Sequence, residues 1–467
     1  MFPLVEFPEL VQHYARFFRD VFSVEAFIEF ERYVSGLIVS ENKTVEGINR
    51  WFVNESRNQS SLNRLLTESL FSLEELNRVR LNVLESLPET QIKRKGVLSV
   101  DDTLLSHYGE HFDEIAYLYD PVQKGFTWAH DLVTLHYSDD ETDYPLRFQL
   151  WKPADLGRLE QGLREAGIRV RESKLGLKQT APDKWRQYLI SLWRRKQKQP
   201  EVAKLYDSKL KIAEQLLREW VQAHPDLKLP VAFDNWYTQP DFCHFLDQEL
   251  GLPYVGTLSA EDQVVLQQGQ LRVDQFAERL KQQHLSAVQK SKVGLFEKIG
   301  FGYKGTREHY YSYCHTHRIH NFGRCRLVIN YREADLSDTP VFYLCNRLLW
   351  QAPGISRIRR QSGFAFRTIA GRWKSIMKKA RPKGWTNISC AISERSNDTS
   401  PWSRQSIAYC VPPNMTRPSP QNFNSNSSST LRAAPLSGVV PLKLRVSGAS
   451  HSSLPLGWLT DRPCVRS

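Results

Sequence analysis

The chain has 467 residues, of which 41% are hydrophobic, 24% charged and 11% aromatic. This composition predicts a soluble chain of two or three globular domains, and it contains neither a secretory-signal pattern nor an apolar run near the roughly 18 residues of a membrane span. The seven cysteines are too few and too scattered for a disulfide framework, which points to the cytoplasm.

The net charge of +12 is unevenly distributed. Residues 355–467 hold 18 basic and 3 acidic residues, whereas residues 1–354 hold 45 basic and 48 acidic residues. Any affinity of the body for DNA must therefore come from local patches rather than from its bulk charge.

The first 92 residues predict helices. Apolar residues recur at helical spacing from Leu62 to Leu70 and from Leu73 to Leu87, and Ser72 followed by Glu75 has the form of a capping box. Such a bundle is compatible with a helix-turn-helix that binds DNA. A helical packing domain without DNA contacts is an equally good interpretation.

Strands and helices then alternate, which predicts an α/β fold. Strands are expected over 97–102, 126–137, 144–150 and 252–258, with helices over about 183–199, 201–224 and 239–250. The resulting division is a core over 93–254, a β-rich insertion over 255–340 and a last core strand over 341–354. Residues 355–467 contain 20 Ser and 10 Pro without lasting periodicity, which predicts a disordered tail.

Two of the apolar runs end in carboxylates. One run ends at Asp101 and Asp102, and the run from Leu229 ends at Asp234. Metal-dependent phosphoryl transfer uses oxygen ligands that hold two Mg²⁺ ions about 4 Å apart, and rigidly placed strand-end acids suit that purpose. Strand-end acids alone are weak support, because solvated loop acids are common.

The residues around these acids carry a family resemblance. The segments Val97-Leu-Ser-Val-Asp-Asp-Thr and Val231-Ala-Phe-Asp-Asn-Trp-Tyr resemble the first two catalytic blocks of bacterial insertion-sequence DDE transposases. The similarity covers about residues 30–353 and is greatest to the branch with a Tyr-Arg-Glu-Lys signature, near the type numbered 701. The resemblance implies a ribonuclease-H-like core, Mg²⁺ (or Mn²⁺) dependence and cut-and-paste strand transfer.

Carried over by position, the resemblance implies that Asp102 and Asp234 are catalytic metal ligands, with Asp101 as the alternative first acid. The third acid, a Glu within Arg-x-x-x-Glu-x-x-x-x-x-x-Lys, should follow Trp350 closely. It is missing, since no Glu occurs between Glu333 and Glu394.

A shifted reading frame offers an explanation for the missing acid. Read from the third base of each codon, Trp373-Lys374 and Met377-Lys378 must encode Glu, and the codons of residues 369–393 permit the third block. The hypothesis is that a frameshift between about Gly354 and Ile369 replaced the native C-terminus.

The expected function is therefore that of a bacterial transposase that binds terminal inverted repeats and target DNA, self-associates on DNA and lacks strand-transfer activity. The alternative is a truncated regulator that occupies the element ends and inhibits transposition. Arg318, Arg324 and Arg326 are candidate phosphate contacts, and Trp236 is a candidate for stacking on a flipped base. Surface solubility explains the three arginines equally well, and core packing is the preferred interpretation for Trp236.

Overall fold

The computed structural model describes residues 4–52, 58–107, 113–120 and 123–363. The tail from residue 364 onward, and with it the offset-frame string over 369–393, lies outside the described residues. In the described ranges, no helix is long and apolar enough to cross a membrane. These ranges form a mixed α/β fold, which confirms the predicted class at that level.

Short helices fill the N-terminal region, as the periodicity predicts. They are α1 (Glu9–Ala15), α2 (Val24–Val39), α3 (Val45–Asn49), α4 (Gln59–Thr67) and α5 (Leu73–Ser86), with a 3-10 turn over Arg16–Val21. Ser72 caps α5, because its hydroxyl accepts a hydrogen bond from the backbone N–H of Glu75 at 3.2 Å. The Glu75 carboxylate pairs with Arg78 at 2.9 Å instead of returning to Ser72, so only half of the predicted capping box forms.

Among the described residues, one mixed sheet of twelve strands organises the rest of the fold. The strands are β1 (Val97–Ser106), β2 (Ala116–Asp120), β3 (Gly125–Ser138), β4 (Asp143–Trp151), β5 (Val231–Phe233), β6 (Tyr254–Thr257), β7 (Gln263–Leu266), β8 (Gly269–Arg272), β9 (Glu297–Tyr303), β10 (Thr306–Ile319), β11 (Gly323–Tyr331) and β12 (Val341–Cys345). The main path is β2-β3-β1-β5-β6-β12-β11-β10-β7-β8, with β4 paired to β3 and β9 paired to β10.

The section β4-β3-β1-β5-β6 resembles the expected core. Strands β1, β3 and β4 pair antiparallel, whereas β5 and β6 run parallel to β1. This arrangement is consistent with a ribonuclease-H-like domain. Parallel pairing matters for function, because it brings the carboxyl ends of neighbouring strands to the same edge of the sheet.

The region over residues 255–340 is strand-rich, as expected, and its strands extend the core sheet. Strand β12 pairs with β6 on one side and with β11 on the other, so the ladder is continuous from the core to β8. A helix that the sequence analysis did not predict, α12 (Val273–Gln289), lies between β8 and β9. Its residues Val273 and Phe276 are buried in the main apolar core.

A separate group of helices lies between β4 and α10 (Lys209–Ala223). We call residues 155–207 the helical unit; it contains α6 (Leu156–Glu165), α7 (Leu177–Thr180), α8 (Pro182–Lys196) and α9 (Pro200–Ala203). It has its own buried apolar cluster, which includes Leu163, Trp185 and Trp193. The single helix predicted over 201–224 is interrupted between α9 and α10.

Helices cover the two faces of the sheet. On one face, α10 and α11 (Pro240–His244) pack against Leu98 and Val100 of β1. On the other face, a helix over residues 352–363, here α13, buries Ile355 against Val255 of β6. Because successive strand residues point to opposite faces, Val255 faces α13 while its neighbour Tyr254 lies in the α10 cluster.

The helix α13 continues past residue 354, where the sequence analysis placed the end of the ordered chain. Its anchors beyond that point are partly polar. The side chain of Asn330 donates to the Ser356 hydroxyl at 2.8 Å, and the Gln361 amide donates to the Ser138 carbonyl at 2.7 Å. Such a helix lacks the apolar period by which sequence reasoning detects helices.

Candidate active site

The first pair of acids lies within β1, not at its end as the sequence analysis expected. The strand continues past Asp102 to Ser106 because β3 pairs with it along its whole length. Its parallel neighbour β5 is shorter, and the last paired position joins Val100 to Phe233. The two acids therefore begin where the parallel part of the sheet ends.

Strand register brings Asp101 and Asp234 together. Strands β1, β5 and β6 are paired in register, so the residues one step beyond the last shared row are Asp101, Asp234 and Thr257. Residues in one cross-strand row point to the same face. The face is that of α13, since Arg359 of that helix donates from Nε to the Thr257 hydroxyl at 2.9 Å.

A tight turn holds Asp234. Its Oδ1 accepts hydrogen bonds from the backbone N–H groups of Trp236 at 3.0 Å and Tyr237 at 3.2 Å. The hydroxyl of Thr238 donates to the Asp234 carbonyl at 2.7 Å. The turn fixes the carboxylate at the strand end, as the sequence analysis expected for the second acid.

Gly256 makes room for this turn. A Cβ at that position would lie 2.7 Å from the Phe233 ring and 2.8 Å from the Thr238 hydroxyl oxygen. Both groups are packed under the turn that carries Asp234, so neither has space to withdraw.

We expect Gly256→Ala to lower the free energy of unfolding by about 1–3 kcal/mol, the usual cost of overpacking. Gly302→Ala on β9 is the matched control, because a Cβ there would meet nothing within 4 Å. Urea unfolding of both variants tests this, and equal midpoints would contradict the steric argument.

The partly buried position of Asp101 opposes its ionisation. Burial raises the pKa of Asp101 to about 8, and the negative charges of Asp234 and Asp102 add to the effect. Burial also raises the pKa of Asp234, to which the charge of Asp102 contributes. The Arg359 guanidinium partly opposes both shifts, which places a positive charge close to the pair.

Asp102 points to the opposite face, where it belongs to a buried charge cluster. Its Oδ2 lies 2.8 Å from Nζ of Lys209, at the start of α10. Lys209 also pairs with Asp131 of β3, whose side chain is only 1% exposed. The rings of Trp151 and Trp236 lie 5.5 Å and 5.3 Å from the same Nζ. Asp102 therefore forms an ion pair with a lysine, whereas Asp101 forms none with any residue that the structure describes.

The hydroxyl of Tyr237 lies beneath both groups of acids. Its side chain is fully buried, and no described residue forms a hydrogen bond with its oxygen. Burial raises its pKa well above 10, reinforced by the charges of Asp102 and Asp101. Negative charge is therefore concentrated around the Tyr237 hydroxyl, which has no hydrogen-bond partner among the described residues.

The other candidate residues have separate surroundings. Arg318 and Arg324 lie opposite each other on β10 and β11, and both are exposed. Arg326 donates from Nε to the Trp350 carbonyl at 3.1 Å, so it has a structural partner. Trp236 is 46% exposed and is not part of a core.

Sequence reasoning missed three residues of this region: Asp131, Lys209 and Arg359. Asp131 carried a usable signal, because it is the single acid within the long strand Gly125–Ser138. The other two reach the acids through tertiary packing, and no local pattern indicates that.

A family model for DDE superfamily endonucleases matches residues 18–293, well over half of the chain. The chain belongs to the DDE superfamily of endonucleases. No curated protein gives a significant match to it. The matched range contains both acids of the register row, and α13 lies beyond its end.

Enzymes of the DDE endonuclease superfamily act on DNA and generally use divalent metal ions, and the domain is of the transposase type. The donor set of this DDE endonuclease does not fit a two-ion centre. The described residues contain no group of three or more His, Cys, Asp or Glu side chains that could hold a metal ion. The α13 face offers two carboxylates, with the cation of Arg359 beside them.

Proposed function

We propose that this DDE endonuclease is the transposase of a bacterial insertion sequence, of the Tyr-Arg-Glu-Lys branch, and that it binds DNA at the ends of its element without cleaving it. One observation carries the proposal. The helix that follows the last core strand presents Arg359, and no acid, to the Asp101–Asp234 pair. DNA binding uses surface charge, whereas strand cleavage needs the complete carboxylate set.

Asp101 is the better first acid. It shares a row and a face with Asp234, whereas the Asp102 carboxylate is held by Lys209. Two acids on one face are better placed to share a metal ion than two acids that project from opposite faces of a strand. We therefore assign Asp101 and Asp234 as the remaining ligands for Mg²⁺ or Mn²⁺, which they would hold weakly.

A frameshift between about Gly354 and Ile369 explains the missing third acid. The acid-free helix α13 ends at residue 363, inside that interval, and the offset-frame block begins beyond it at residue 369. Sequencing the gene tests the hypothesis. An offset frame interrupted by stop codons over residues 369–393 would contradict it.

A regulator of transposition is the second candidate, acting in the bacterial cytoplasm at the nucleoid. It is favoured by the intact sheet and helical unit around a deficient acid set. A chain that still occupies element ends and associates with intact copies would inhibit them.

The experiment uses labelled duplexes that carry both ends of the element, taken from the flanks of the gene. We expect protected terminal repeats in footprints with or without Mg²⁺ or Mn²⁺, and no cut strands. Cleavage of the ends would contradict the proposed defect, and absence of binding would overturn the proposal as a whole. Inhibition of an intact transposase in a mixing assay would favour the regulator.

A further inference from the structure

The helical unit carries an excess of positive charge. It holds 13 basic and 7 acidic residues, a net charge of +6. The remaining residues before 355 hold 32 basic and 41 acidic residues, a net charge of −9. A charge contrast of this size within one body produces a strongly positive surface beside negative ones.

Aromatic contacts join this unit to the acids. The ring of Trp193 on α8 lies 5.1 Å from that of Tyr206. The Tyr206 hydroxyl accepts a hydrogen bond from Trp151 Nε1 at 3.0 Å, and Trp151 in turn lies beside Lys209. Lys209 binds Asp102, the neighbour of Asp101. These contacts hold the unit against the Asp102–Lys209 ion pair, on the side of the sheet opposite to Asp101 and Asp234.

Two basic residues of α8, Arg186 and Arg194, lie near this junction. Burial raises the pKa of Tyr206, and the positive charges of Lys209, Arg186 and Arg194 oppose that shift, so all three cations lie near its hydroxyl. Arg194 and Lys198 are both exposed. Neither forms an ion pair with any residue that the structure describes. Their charges are available to an external anion.

We infer that the exposed basic surface at the end of α8, centred on Arg194 and Lys198, binds the phosphate backbone of duplex DNA. This inference rests on the proposed function and adds the surface that holds the substrate. The acids themselves repel phosphate. DNA that approaches them therefore needs a cationic surface, and the helical unit supplies one on the Asp102 side of the sheet.

The contacts would be independent of sequence. Lysine and arginine side chains at a helix end contact phosphate oxygens, which carry no base information. Each phosphate neutralised releases condensed counterions, so the logarithm of affinity falls with the logarithm of salt concentration by about 0.9 per contact. The salt dependence thus counts the contacts that each variant loses.

The test compares the full chain with Arg194→Gln/Lys198→Gln, using a fluorescent duplex of random sequence over a range of salt concentrations. The matched control is Arg279→Gln/Lys290→Gln, two exposed cations in the middle of α12 and directly after its end; α12 packs on β7 and β8 at the other end of the sheet path. We expect the α8 double variant to bind about tenfold more weakly or worse, with a salt slope lower by about 1–2. The control should match the unmodified chain.

The outcomes separate this inference from the function on which it rests. If the unmodified chain binds DNA and both double variants bind equally well, the α8 surface is wrong while the proposed function stands. If the unmodified chain binds no duplex, both are overturned. Binding to anionic lipid vesicles in place of DNA would also overturn the inference, because it would assign the basic surface to a membrane.

Discussion

Replacing Asp101 by Asn is expected to stabilise the protein, and the same replacement at Asp102 is expected to destabilise it. The two residues are neighbours on β1 and the substitutions are nearly isosteric, so the opposite signs come from their partners. Asp101 is partly buried beside like charges, which raises its pKa to about 8, whereas Asp102 pairs with Lys209 at 2.8 Å. A residue that costs stability where it stands is typical of a functional site.

The pH dependence makes the Asp101 prediction specific. Because the folded state raises this pKa above its ordinary value of 3.8, ionisation opposes folding. The penalty is absent below the ordinary pKa and grows until the pH reaches about 8, where it is complete. Asn carries no such penalty, so the advantage of Asp101→Asn over the unmodified chain should increase with pH.

Urea unfolding at about pH 5 and about pH 8.5 measures this advantage. Because one unit of pKa shift corresponds to about 1.4 kcal/mol, we expect the stability gained by Asp101→Asn to grow by at least about 1 kcal/mol between the two pH values. Asp102→Asn should lose about 2 kcal/mol at either pH, the contribution of a hydrogen bond to a charged group. Destabilisation by Asp101→Asn at both pH values would contradict the assignment of Asp101 as the strained, functional acid.

Replacing Arg359 by Glu is expected to create a divalent-ion site. The guanidinium lies close enough to lower the pKa values of Asp101 and Asp234, so its charge disfavours a metal ion there. Glu reverses that charge and adds a carboxylate to the two already on the face. We expect Mn²⁺ affinity to rise by about tenfold or more, given the strength of charge interactions at a partly buried site.

Two variants control the metal experiment. Arg359→Gln removes the cation without adding a ligand and should give an intermediate affinity. Arg360→Gln changes the next residue on α13, which pairs with Glu308 and not with the acids, and should leave the affinity unchanged. Free Mn²⁺ is followed by electron paramagnetic resonance. An unchanged affinity in Arg359→Glu, with a circular dichroism spectrum like that of the unmodified chain, would show that Arg359 does not govern the acid pair.

Local patterns predicted much of the sheet. Alternating and apolar runs identified β3, β4 and β6, and the second acid was expected at the end of β5, where it lies. These features depend on residues within a few positions of each other, so they can be detected in a single sequence.

The choice between Asp101 and Asp102 could not be made in that way. Alternation shows that the two side chains point to opposite faces of the sheet. The residues that each side chain meets there belong to α10 and α13, which lie far away in the sequence. Lys209 and Arg359 reach the acids only in the folded chain. The helix α13 was missed because polar residues such as Ser356 and Gln361 take buried positions, and hydrogen bonds replace the apolar period.

The continuity of the ladder through β12 gives the strand-rich region a protective role. Strand β12 hydrogen-bonds to β6 along one side and to β11 along the other. If residues 258–340 were excised, β6 and β12 would still pair, but the second side of β12 would become a bare row of amide and carbonyl groups. An exposed strand edge of this kind pairs with strands of other molecules. The added strands thus shield the catalytic sheet from aggregation, in addition to any contact that they make with nucleic acid.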